Sequence, residues 1–369
     1  MAEKNLDFDT VIDRTHTNSL KYDFAVQRGK PKDVLPLWVA DMDFQVSSYI
    51  QEALSGSVAH GIFGYSEAEG SYFEAVAGWM SRHYGWNVEE TWLVKTPGIV
   101  FALAQAVRAF TDPGDAVLLQ QPVYYPFSQV IRDNGRKIVD NTLVQGEDGR
   151  YRIDFTDFEE KIRSAHVKLF FLCNPHNPVG RVWTKEELLR LGDICERYGV
   201  IVVSDEIHAD FVFEGSHQVL AGLKESYRKF VVTCTAPSKT FNLAGLQVSN
   251  IFIPDDALRR KFEQAVGASG YSQLNTMGLV ACEAAYRHGE EWYEAVKAYI
   301  RENLAYAQHF LEEQIPQVKA VEPEGTYLLW VDFRSLGLSR RELEDLIVKK
   351  AGLWLDSGDI FGAAGRGFE

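Results

Sequence analysis

With 369 residues, 46% of them hydrophobic and 12% aromatic, the chain can bury a sizeable core and divides naturally into two or three domains. Its formal net charge of -14 repels phosphate backbones and anionic membranes, and no basic run offsets it, so nucleic acid is excluded as a partner. No apolar run reaches membrane-spanning length, and the start, MAEKNLDFDT, lacks the basic and apolar regions of a secretory leader. The expected location is therefore cytoplasmic. The four cysteines, Cys173, Cys195, Cys234 and Cys282, are widely spaced in apolar contexts and read as reduced core residues.

In chain order, short and nearly continuous apolar runs predict strands covered on both faces: AVLLQQP (116–122), KLFFLCNP (168–175), VIVVSDE (200–206), KFVVTCTAPS (229–238) and GLQVSNIFIP (245–254). Helical segments separate most of them. The clearest is TKEELLRLGDICERYG (184–199), where Thr184 and Glu187 form a capping box and Leu188, Leu191 and Cys195 repeat at helical spacing. This alternation predicts an α/β domain with a mostly parallel sheet. A long helix over 290–314 then leads into VEPEGTYLLWVDF, expected to be a strand, and SRRELEDLIVKKAG, a second capped helix; together they suggest a smaller domain. The expected division is an arm over 1–45 that joins the small domain, a large domain over 46–288 and the small domain over 289–369.

In open parallel sheets, ligands bind beyond the carboxyl ends of the strands. The residues just past each apolar run are rich in chemistry: Tyr124 and Tyr125 follow one, Asn174-Pro175-His176-Asn177-Pro178 another, Asp205, Glu206 and His208 a third, and Ser238 and Lys239 a fourth. An amide, a carboxylate, a lysine and an aromatic ring are thus expected at one cleft. Asp205, Glu206, His208 and Asp210 also invite a metal reading. Strand alternation should place Asp205 opposite the face shared by Glu206, His208 and Asp210, so no metal site is expected.

The segments NPHNPVGRVW, SDEIHADF and APSKTFNLAGLQ, in this order and spacing, resemble the fold-type I pyridoxal-phosphate enzymes related to class I aminotransferases. LPLWVADMDF (35–44) and GIFGYSEAEGSYFEAVAGWMSRHYGW (61–86) are similar to the MalY/PatB branch, the cystathionine β-lyase or C-S lyase group. The resemblance implies a seven-stranded, mostly parallel sheet flanked by helices, and pyridoxal 5'-phosphate as cofactor. It implies that Lys239 binds the cofactor covalently and then takes the substrate's α-proton, and that Asp205 faces the pyridine nitrogen. Asn177 is implied as donor to the ring oxygen, Tyr124 as the ring stacked on the pyridine, and His208 as a further cofactor contact. Gly98, Ile99 and Val100, at a helix start, are the expected phosphate site, with Ser238 adding a hydroxyl. Tyr65 resembles the tyrosine that reaches the neighbouring subunit's phosphate, which implies a homodimer with shared active sites. Trp38, Val39 and Ala40 are expected on the substrate side.

Two departures from the aminotransferase pattern point to elimination. Aminotransferases commonly carry tyrosine three residues after the pyridine-binding aspartate and arginine eight after the lysine; here His208 and Gln247 stand there. The implied substrate is L-cystathionine or a related cysteine S-conjugate. A transaminase, and a cofactor-binding protein that restrains a transcription regulator, are the alternatives. In the resembled family, GRGF is closely followed by an arginine that binds the substrate carboxylate. Here Gly365-Arg366-Gly367-Phe368-Glu369 ends the sequence, so the expectation is a truncated chain lacking that arginine and the strand and helix after it.

Overall fold

The computed structural model describes residues 3–369, so the first two residues of the arm lie outside the described residues. Its central sheet has seven strands: β1 (Leu93–Thr96), β2 (Ala116–Leu119), β3 (Lys137–Asp140), β4 (Leu169–Cys173), β5 (Ile201–Asp205), β6 (Val231–Thr235) and β7 (Ser249–Phe252). Their spatial order is β1-β7-β6-β5-β4-β2-β3. From β3 through β6 every pairing is parallel, and β7 runs antiparallel to both β6 and β1. Each of the five runs read as strands from the sequence holds one of these strands. Missed were β1 and β3, the two edge strands, whose Leu-Val-Lys-Thr and Lys-Ile-Val-Asp are too short and too charged to stand out.

The continuous apolar runs follow from burial on both faces. In β4, Phe170 and Leu172 enter one core with Phe158, Trp183 and Leu188, while Leu169, Phe171 and Cys173 enter a second with Leu103, Val107 and Phe127. Helices Gly70–Tyr84, Lys185–Tyr198 and Thr276–His288 cover the first face; Ile99–Phe110 and Asp256–Ala268 cover the other. Each fully buried Phe or Leu contributes about 1.5–3 kcal/mol. Thr184 and Glu187 form the expected capping box, and all four cysteines are buried and unpaired.

The register fixes where the chemistry lies. Cys173 pairs with Asp205 and Asp205 with Cys234, so β4, β5 and β6 end in one row. The loops after them necessarily emerge side by side.

Beyond the long helix Glu290–Gln314, Lys319–Val321 pairs antiparallel with Trp330–Asp332, and Leu35–Pro36 pairs parallel with Leu353–Trp354. A single strand over 321–333 does not form. Glu324 to Tyr327 leave the ladder and bind loops beside the central sheet: Phe213 N–H donates to the Glu324 carbonyl at 2.8 Å, Gly325 N–H to that of Gly180 at 2.9 Å, and Thr326 N–H to that of Phe211 at 2.8 Å. Thr326 takes φ 67°, a left-handed conformation disfavoured for a β-branched residue. Apolar alternation does not report such a detour. Among the described residues, no helix is long and apolar enough to cross a membrane.

Candidate active site

Lys239 stands on the one-turn helix Pro237–Thr240, just past β6. Small and proline residues permit this tight reversal at the sheet edge. Its Nζ donates to the Ala40 carbonyl at 2.6 Å, so the segment 38–40 does meet the lysine. Burial lowers the amine to about 8, against the opposing pull of the Asp41 and Asp205 carboxylates. A solvated lysine would be almost wholly charged at neutral pH; this one keeps a usable neutral fraction.

Asp205 ends β5 with its side chain buried, and its Oδ1 accepts from Ile207 N–H at 3.1 Å. Burial, with Glu206 adding repulsion, pushes its carboxyl up to about 7, although Lys239 pulls the other way. Such a carboxylate lacks a cationic donor as close partner, as a site for a protonated ring nitrogen should. Asn177 is buried, and its Oδ1 has no hydrogen-bond partner among the described residues. Its carbonyl accepts from Tyr124 N–H at 3.1 Å, which brings the tyrosine beside it. The Tyr124 phenol is pushed well above its ordinary range, first by burial and then by Tyr125, Asp205 and Asp356. It stays protonated.

His208 is buried, its Nδ1 has no partner among the described residues, and burial together with Lys239 holds it neutral, down to about 3. The shared face expected for Glu206, His208 and Asp210 does not exist, because β5 stops at Asp205 and the chain turns. Glu206 accepts from Ser204 Oγ at 2.7 Å and meets His217 Nε2 at 2.8 Å, while Asp210 accepts from Trp79 Nε1 at 3.0 Å and from Tyr84 and Thr240 hydroxyls. His208 instead packs edge-on against Tyr327, ring centroids 5.8 Å apart. Among the described residues, no group of three His, Cys, Asp or Glu side chains is set to hold a metal.

At the start of the helix Ile99–Phe110, Gly98 adopts φ 98°, open to glycine but not to other residues, and a Cβ there would meet nothing within 4 Å. Its own N–H donates to the Thr96 carbonyl at 2.9 Å. Gly98 therefore shapes the cradle, and the first-turn amides of Ile99 and Val100 are the donors left for an anion. Ser238 adjoins Lys239 on its turn and is partly buried. Buried Asp205, the Asn177 side-chain amide beside Tyr124 and the open helix start together fit a phosphorylated pyridine.

Trp38 is stacked on Trp354 at 4.6 Å, with the Arg28 guanidinium 5.0 Å from its ring, so it faces the strand Leu353–Trp354 rather than the lysine. Its indole N–H has no partner among the described residues. Val39 and Ala40 are partly buried. Tyr65 is 99% exposed and shares a groove of about 560 Å³ with Pro97, Gln247 and Tyr271. Within one chain it does not join the Lys239 cluster.

Two residues near the lysine escaped sequence reasoning. Tyr327 donates its hydroxyl to the same Ala40 carbonyl at 3.1 Å. Asn242, at φ 56°, binds the Met42 N–H at 3.0 Å, the Met42 carbonyl at 2.9 Å and the Phe44 carbonyl at 3.2 Å, clamping the chain just after Ala40. Asn242 carried a faint signal, since it lies inside the lysine motif and tolerates left-handed backbone.

Residues 32–367 match the aminotransferase class I and II family. The chain is 45% identical to cystathionine beta-lyase PatB of Bacillus subtilis, across 98% of this chain and 94% of that protein. It is 32% identical to protein MalY of Escherichia coli, covering 98% and 93%. Cystalysin of Treponema denticola, whose crystal structure contains pyridoxal 5'-phosphate, superposes with a TM-score of 0.94 at 37% identity, covering 98% of this chain and 93% of that one. On this sequence match and this fold, the chain belongs to the aminotransferase class I and II family, in the branch of PatB and MalY.

Proposed function

We propose that the protein is a pyridoxal-phosphate-dependent C-S β-lyase acting on L-cystathionine or a related cysteine S-conjugate. The observation that carries this reading is the placement of a partly buried lysine, lowered to about 8, and a buried aspartate at the same ends of adjacent parallel strands. The 45% identity to PatB and the presence of His208 and Gln247 at two aminotransferase-distinguishing positions support elimination over transamination.

When bound, pyridoxal phosphate supplies an electron sink for a carbanion at the substrate α-carbon. Asp205 would hold the ring nitrogen, Asn177 and His208 would hold the ring's other edge, Tyr124 would cover its face, and Ile99, Val100 and Ser238 would hold the phosphate in the Gly98 cradle. Lys239 Nζ would hold the group at its aldehyde carbon and, once freed by substrate binding, would take the proton from the substrate α-carbon. The proton stays on Nζ while thiolate leaves the β-carbon with its electron pair. The remaining aminoacrylate takes up one water and yields pyruvate and ammonia. Val39 and Ala40 line the substrate side.

The exposed apolar stretch that includes Ile62, Phe63 and Tyr65 supports a homodimer in which Tyr65 completes the partner's phosphate site. We place the enzyme in the cytoplasm, with an arm over 1–45, a large domain over 46–288 and a small one over 289–369. Incubation with L-cystathionine should release pyruvate without any 2-oxo acid acceptor. Amino-group transfer that requires such an acceptor, with no pyruvate in its absence, would make it a transaminase.

A further inference from the structure

Three distant chain segments converge on one backbone oxygen. The Ala40 carbonyl accepts from Lys239 Nζ at 2.6 Å and from Tyr327 Oη at 3.1 Å. Each segment is independently fixed. The Ala40 side is held by Asn242 and by Arg14 and Lys21, which pair with Asp41 and Asp43 at 2.6–3.7 Å. The Tyr327 side is held by Glu324, whose carboxylate accepts from Arg181 Nε at 2.8 Å and Val182 N–H at 2.9 Å. Gly180 and Gly325 allow that strap to lie flat: a Cβ on Gly180 would sit 2.9 Å from Pro323 Cα, and one on Gly325 2.8 Å from the Phe211 carbonyl. The left-handed Thr326 then turns Tyr327 back over the site. A disfavoured backbone angle kept beside a reactive lysine marks a position whose geometry serves function.

We propose that Tyr327 is a positioning residue for Lys239: its hydroxyl shares the Ala40 carbonyl with the lysine amine and so limits how firmly that oxygen holds the charged amine. A carbonyl has two lone pairs, and a donor on one weakens its acceptance on the other. The ammonium has only donors, so the carbonyl favours the charged amine, and the tyrosine moderates that preference. The other groups facing the amine are the carboxylates of Asp41 and Asp205, which favour its charge, and the neutral His208. Moderation matters because only the neutral amine can attack or take a proton. The inference rests on the reading of Lys239 as anchor and base.

The test is the titration of Lys239 in the cofactor-free full chain, followed as the pH dependence of acetylation at that residue, mapped by mass spectrometry. Tyr327→Phe keeps the ring contacts with Phe211 at 4.9 Å and His208 at 5.8 Å, so it removes only the hydroxyl. The midpoint should rise, with proton affinity up about threefold, half a pH unit. Asp41→Asn should move it down, and Tyr327→Phe combined with Asp41→Asn should fall between the two. In the cofactor-loaded enzyme, Tyr327→Phe should lower kcat several-fold with little change in KM. A midpoint that stays put or falls in folded Tyr327→Phe overturns the proposal, because a ring that merely fills space leaves it unmoved. The titration needs no lyase activity, so a failed cystathionine assay leaves this test standing.

Discussion

Burial acts against charge on both Asp205 and Lys239, and the two results are useful in different ways. For the lysine, the amine becomes available near neutral pH. For the aspartate, a carboxyl at about 7 in place of the usual 3.8 means the folded state resists its ionisation. Because the folded value is raised, stability falls as pH rises from about 4 through 7, and above that range the full penalty is present. Asp205→Asn should therefore stabilise the cofactor-free protein at pH 8 by on the order of 2 kcal/mol, read as a higher urea midpoint, with the gain gone at pH 4. The same change should cut lyase turnover by about a hundredfold or more, since a neutral amide cannot keep the ring nitrogen protonated. Equal urea midpoints at pH 8 would show that the carboxyl is not strained by burial. The candidates Lys239, Asp205 and Asn177 stood out in the sequence because each lies at, or a few residues past, the end of an apolar run, inside the motifs that carry the family resemblance. Tyr327 did not, since Thr-Tyr-Leu-Leu-Trp reads as an ordinary strand and only the left-handed Thr326 diverts it.

Elements are joined beneath the site through Asp210. Its carboxylate takes hydrogen bonds from Trp79 and Tyr84 on the helix Gly70–Tyr84 and from Thr240 beside Lys239, while its carbonyl accepts from Tyr293 Oη at 2.6 Å. The lysine turn is thereby tied to two helices. Asp210→Ala would strand three buried donors, and a loss of about 3 kcal/mol is expected in urea unfolding, since each unsatisfied buried group costs about 1–3 kcal/mol. A loss below about 1 kcal/mol would mean that the carboxylate is replaceable by water there. From sequence, Asp210 looked like one more acidic residue on a strand face. The end of β5 at Asp205 could not be seen, because pattern reading locates boundaries poorly where apolar residues such as Ile207 and Phe211 continue past the strand. Five interior strands and the capped helix were visible because burial on both faces, or a Thr-Glu box, leaves its mark in composition; β1 and β3, exposed at the rims, carry no such mark.

At the scale of the whole molecule, the parallel order from β3 to β6 is what makes the site, since it delivers several strand ends to one edge. Antiparallel β7 returns the chain from the lysine turn across the sheet. The paired segments Leu35–Pro36 and Leu353–Trp354 bring the beginning and end of the chain together, and the first of them leads directly to Ala40. Such long-range pairing has no signature in local pattern. The identification of Lys239 as the residue that anchors the cofactor is the claim on which the rest depends. Its most direct test is to load the protein with pyridoxal phosphate, reduce it with borohydride, digest it and locate the pyridoxyl group by mass spectrometry. The account predicts one stoichiometric adduct, on the peptide containing Lys239, and its absence in Lys239→Ala; an adduct on another lysine, or none on a protein that turns over cystathionine, would contradict it.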